Sequence, residues 1–77
     1  MITVHYFAGV REMTGTPQES LPFSGQTVEQ LRTALVEKYP GMNDSAVQFA
    51  VNEEYALPDD VLKEGDAVAL IPPVSGG

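Results

Sequence analysis

Cysteine is absent from the 77 residues, and several kinds of chemistry go with it. No disulfide framework, thiolate nucleophile or zinc-thiolate site can be built, and no side chain can hold a persulfide. Basic residues are scarce, four against eleven acidic, for a formal charge of −7. That balance repels nucleic acid and anionic membranes and favours a partner with a basic docking surface, although plain solubility accounts for it equally well. No basic leader, signal sequence or membrane-length apolar run is read in the chain, so a cytoplasmic location is expected. The one histidine, His5, falls on the outward side of a strand pattern, where a solvated or interface role is the ordinary one. Asp59-Asp60 and Glu53-Glu54 are adjacent carboxylates in turn-like stretches and read as solvated charge, so no metal site is expected. The internal glycines stand singly, which leaves no loop to cradle a phosphate.

What is present suits one small domain with a single core. Ile2-Thr3-Val4-His5-Tyr6-Phe7 alternates, with Ile2, Val4 and Tyr6 on one side and Thr3, His5 and Phe7 on the other. Ala8 to Gly15 has weak helical spacing and a glycine stop. Gln18 to Phe23 reads as a strand confined to a sheet edge by Pro17 and Pro22. Thr27 and Gln30 form a capping box ahead of Val28, Leu31, Leu35 and Tyr39, which share one helix face with Ala34 beside them, and Pro40-Gly41 ends that helix. Val47 to Val51 alternates with Val47, Phe49 and Val51 inward. Asn52-Glu53-Glu54 turns the chain, and Tyr55-Ala56-Leu57 pairs back. Pro58-Asp59-Asp60 breaks the pattern, and Val61 and Leu62 are expected to add core contacts. Glu64-Gly65-Asp66 turns into a last strand, Ala67 to Ile71. Strands around one main helix predict an α+β domain, with that helix on one face of a mixed sheet of four to five strands.

The chain then ends Pro72-Pro73-Val74-Ser75-Gly76-Gly77. At average residue usage, chance would put both dipeptides at these positions roughly once in a hundred thousand. The two dipeptides have distinct uses. Glycine lacks a Cβ, so Gly76 and Gly77 fit a channel that excludes other residues. The diproline ends strand pairing and starts a stiff stem. Six extended residues reach about 20 Å, enough to enter another protein's active site. The expected organisation is a domain over residues 1–71 and an extended tail over residues 72–77.

These features resemble the small, sulfur-carrying subunits of molybdopterin synthase, a ubiquitin-like β-grasp family. The resemblance runs end to end. It rests on Tyr6-Phe7-Ala8 leading to Arg11-Glu12 and Gly15, on Thr27-Val28, on Val51-Asn52, on Leu62 with Gly65-Asp66, and most of all on the tail. Gly-Gly is common to sulfur carriers and ubiquitin-like modifiers, and the preceding Pro-Pro-Val-Ser points to the molybdopterin branch. Glu53-Glu54 departs from the glycine often found after that asparagine, which puts the turn type in question.

The resemblance implies that the first and last strands lie side by side and parallel in mid-sheet. With the alternation above, this brings Phe7 and Ile71 to the outer face beside the root of the tail, and Tyr55 matches a third position of that patch. A partner interface is the usual cause of such a patch. The alternative is that Phe7 closes the end of the core beneath Gly9. Arg11 matches a family position as well, either as a partner anchor or in a surface ion pair.

The implied chemistry belongs to the tail. A carboxylate is a poor electrophile until activated, so an E1-like enzyme would adenylate Gly77 with ATP. A sulfur donor would then convert the acyl-adenylate to a thiocarboxylate. The large subunit of a heterotetrameric synthase would receive the tail, threaded through Pro72 to Gly76, and the sulfur would attack the pyranopterin precursor to build the dithiolene. On this reading the chain binds no cofactor and supplies no acid, base or oxyanion hole, so it is no enzyme by itself. A carrier for thiazole or tRNA thiolation, a protein modifier joined through Gly77 to lysine, and a binding domain with an inert tail are the alternatives.

Overall fold

The computed structural model describes residues 1–40 and 47–71. The strands are β1 (Ile2–Tyr6), β2 (Gln18–Leu21), β3 (Gln48–Val51), β4 (Glu54–Tyr55) and β5 (Ala67–Ile71); the helices are α1 (Ala8–Thr14) and α2 (Val28–Lys38). They form one five-stranded mixed sheet in the order β2-β1-β5-β3-β4, with β1 and β5 parallel at its centre and the other pairs antiparallel. This is the β-grasp arrangement expected from the sequence, at the upper end of the expected strand number.

One side of the sheet is the core. Ile2, Val4 and Tyr6 of β1, Val68 and Leu70 of β5 and Phe49 of β3 are buried there with Val28, Leu31 and Leu35 of α2. Val10 of α1 and Leu62 close its ends, and Val47 and Val51 pack against it partly buried. The helix lies across this side because its apolar residues recur every three or four positions and make one stripe. Its start is held by the expected capping box. Thr27 Oγ1 accepts from the Gln30 N–H at 3.2 Å, and Gln30 Oε1 accepts from the Thr27 N–H at 2.8 Å.

The boundaries differ from the sequence reading in instructive places. β1 stops at Tyr6, and Phe7 becomes the extended residue before α1, with φ −126°. The expected weak turn is a seven-residue helix, closed by Gly15 at φ 76° with its N–H on the Arg11 carbonyl. β2 ends at Leu21, just before Pro22, which has no N–H to donate. Glu54 lies in β4 and not in the turn. Asn52 and Glu53 alone turn the chain, with φ 51° and 71°, the left-handed pair of a tight hairpin. Asn52 suits that conformation, and it also accepts from the Ala67 N–H and donates to Asp66.

Val61 does not join the core. Leu62 is buried, but Val61 is 56% exposed and forms an isolated bridge with Thr27. Neighbours in an extended segment point to opposite sides, so only one of the two can face inward.

Candidate functional site

Among the described residues, the other side of the sheet carries no helix. Its cross-strand neighbours run His5, Ala69, Ala50, Tyr55, from β1 through β5 and β3 to β4. Two large side chains thus flank two alanines, and the sheet surface is hollow between them. The result is an open concavity of about 540 Å³, lined among others by Phe7, Tyr55, Ile71 and His5.

Phe7 is 50% exposed and Tyr55 72% exposed. Phe7 therefore does not close the end of the core. It stands on the outer face because the extended backbone of β1 continues through it before α1 begins. Ile71 is half-buried and pairs with Gln48 at the end of β5. The three apolar residues singled out from the sequence thus share one surface, which ends where Pro72 follows. Pro72, Pro73, Val74, Ser75, Gly76 and Gly77 lie outside the described residues.

Arg11 is not part of this surface. It is exposed on α1 and lines a separate depression with Glu12, Thr16 and Pro17. Among the described residues it has no ion-pair partner, so of its two expected roles the structure shows no surface pair. His5 faces the concavity from β1. Asp59 and Asp60 are exposed, and the described residues contain no cluster of three or more metal-ligating side chains.

Sequence reasoning overlooked the floor of the concavity. Ala67 and Ala69 line it alongside Ala50. The signal was available, since Ala67, Ala69 and Ile71 alternate with the inward Val68 and Leu70. Small residues in such a series leave room for a partner's side chains. Ala50 is nearly inaccessible although it lies on this outer face, because Tyr55 and Ala69 flank it.

A polar clasp on the core side was also unforeseen. Tyr6 and Tyr39 were assigned inward positions, yet both hydroxyls donate to Glu19 Oε2, at 2.5 and 2.9 Å. Lys38 Nζ donates to Glu19 Oε1 at 2.6 Å. The two rings meet edge to face at 6.3 Å. The clasp ties β2 to the last turn of α2. Partial burial by itself would raise the Glu19 carboxyl, but hydrogen bonds from Lys38, Tyr6 and Tyr39 outweigh it and hold the group below its ordinary 4.5. Burial, with the hydrogen bond to Glu19 added, pushes the Tyr6 hydroxyl far above its usual value of 10.

The sign of the pH dependence follows. Glu19 binds its proton more weakly in the fold than in the unfolded chain. Its contribution is therefore complete above pH 4.5 and is lost as the pH falls through the folded-state value. Tyr6 works in reverse: its contribution is complete below pH 10 and is lost above it. Urea titrations of Glu19→Gln should show about 1 kcal/mol less stability at neutral pH and a shallower acid limb. Some acid slope should remain, because an N–H of Lys63 and the side chain of Asn52 also hold Asp66 below its ordinary value. An unchanged acid limb in Glu19→Gln would show that the clasp contributes nothing.

No helix among the described residues is long and apolar enough to cross a membrane. The chain is 40% identical over 82 residues to the molybdopterin synthase sulfur carrier subunit of Chlamydomonas reinhardtii, covering 99% of this chain and 98% of that one. Among solved structures it is similar to a molybdopterin converting factor subunit 1 from Pyrococcus furiosus, with a TM-score of 0.83, 30% identity, and coverage of 95% and 97%. It is also similar to small archaeal modifier protein 1 from Methanosarcina acetivorans, with a TM-score of 0.79, 29% identity, and coverage of 99% and 95%. The ThiS family profile matches residues 4–77, and with this fold and these relatives the chain belongs to the ThiS family.

Proposed function

We propose that the chain is the sulfur carrier subunit of a molybdopterin synthase, with the Gly77 carboxyl as the working group. The observation that carries this reading is the placement of β5. The strand runs through the middle of the sheet and ends at Ile71, on the apolar open face shared with Phe7 and Tyr55. A partner that covers this face holds the carrier at the point where Pro72 begins. Relatives of nearly equal length bear the sulfur-carrier name, which supports extending the reading to the tail.

The reaction begins when the Gly77 carboxylate attacks the α-phosphorus of ATP on an E1-like activating enzyme, and pyrophosphate leaves. A donor then delivers sulfur at the sulfide level, which displaces AMP from the same carbon and leaves a thiocarboxylate. Pro72 to Gly76 thread this group into the synthase large subunit, where its sulfur attacks a carbon of the pyranopterin precursor as an oxygen substituent leaves. Water then cleaves the resulting thioester, leaving the sulfur on the precursor and returning the Gly77 carboxylate. Two deliveries complete the dithiolene. Phe7, Tyr55 and Ile71 dock the carrier, Arg11 is a candidate anchor beyond the apolar patch, and the cytoplasm supplies the ATP. The carrier's contribution is positioning, which can supply a large share of a rate enhancement without any acid or base of its own.

The similarity to an archaeal modifier favours one other reading, conjugation of Gly77 to a lysine amine. Intact mass of the protein purified from its host separates the two. A carrier should show a single oxygen-for-sulfur exchange at the C-terminus. Ladders of conjugates without that exchange would overturn the proposal in favour of a modifier.

A further inference from the structure

The function above leaves a second groove unused. It lies between the outer edge of β3 and the first turns of α2 and has a volume of about 500 Å³. Val28 and Arg32 form one wall, Val47 and Phe49 the other, and Ala56 and Pro58 the end. The groove exists because β4 is only two residues long. Ala56 N–H still reaches the Phe49 carbonyl at 2.9 Å, but Pro58 then stops the pairing.

The backbone of β3 is therefore left open along its first residues. Asn52 N–H points toward β5, where it meets the Ala67 carbonyl. Alternation along the strand turns Phe49 and Val47 the other way, toward the groove. Among the described residues, neither N–H finds a backbone acceptor on that side. Arg32 stands beside this edge, exposed and without an ion-pair partner among the described residues, in a chain with only four basic side chains.

We propose that this groove takes an extended segment of the protein that covers the open face, added as a further strand on the edge of β3 with an acidic side chain on Arg32. The inference rests on the reading of the open face as a partner interface, and Tyr55 joins the two, since it lines both the concavity and the groove. Strand addition supplies acceptors for Val47 and Phe49, and apolar side chains cover Val28 and Pro58. Charge sets the register. Arg32 attracts a carboxylate, whereas Glu29, one helical turn nearer the start of α2, repels one.

Amide hydrogen exchange of the full chain, alone and bound to the molybdopterin synthase large subunit of its host, tests this. Binding should slow exchange at Val47 and Phe49 by at least about tenfold. Arg32→Glu, an exposed helix position, should weaken the complex by about fivefold while the fold persists. If Phe7→Ser weakens binding but exchange at Val47 and Phe49 is the same free and bound, the groove proposal is overturned and the carrier reading stands. If no complex forms, both the groove and the synthase partnership fall, and the terminal mass decides whether the chain is still a sulfur carrier.

Discussion

One alanine added after Gly77 is expected to abolish sulfur loading, with thiocarboxylate falling by about a hundredfold or more, while the thermal midpoint stays where it was. The added residue moves the terminal carboxylate by about 3.5 Å and brings a Cβ to a place suited to glycine. A misplacement of even 1 Å can cost a reaction about a hundredfold when positioning is the whole contribution. Stability should not change, because the addition lies seven residues beyond Ile71, the last residue of β5. The measurements are intact mass after incubation with activating enzyme, ATP and sulfur donor, together with a melting curve. Full loading of the extended chain, with the alanine still in place, would remove the basis of the proposed function.

Leu31→Ala should leave the domain barely folded at room temperature. Leu31 has no exposed surface and sits one turn into α2, inside the core. Removing a buried leucine side chain costs about 2–5 kcal/mol, because the lost transfer energy is joined by the energy of the cavity left behind. A core of this size supplies only about 3–5 kcal/mol of net stability. A loss of about 3 kcal/mol should lower the melting temperature by about 12–24 °C. Val61→Ala is the matched control: its side chain is exposed, so the change should stay within about 0.5 kcal/mol. Equal losses from the two substitutions would mean that the core is not where the structure places it.

The contrast between Leu31 and Val61 marks how far sequence reasoning reached. Periodicity identified α2 and its cap and the inward residues of β1, and, combined with the parallel pairing that the resemblance implies, the side of the sheet on which Phe7 and Ile71 stand. The faces themselves are local consequences of alternation and helical spacing. They persist because a strand or helix buries one face whatever it packs against. Val61 failed the same reasoning. Two apolar neighbours in a nonregular stretch carry no period, and only the bridge to Thr27 settled which of them turns outward. Tyr6 and Tyr39 were placed inward correctly, but their shared acceptor is Glu19, on a different strand, and no local spacing connects the three.

By itself, the order of residues determined the strand and helix faces, the capping box and the Gly-Gly dipeptide, each a property of a short stretch, and the composition excluded any thiol side chain. Tertiary structure alone decided that two alanines from separate strands would meet as the floor of a concavity, and that a two-residue β4 would leave the edge of β3 open. Both depend on strand order and register. Those follow from how the buried faces pack together across the whole chain, and no single segment carries that information.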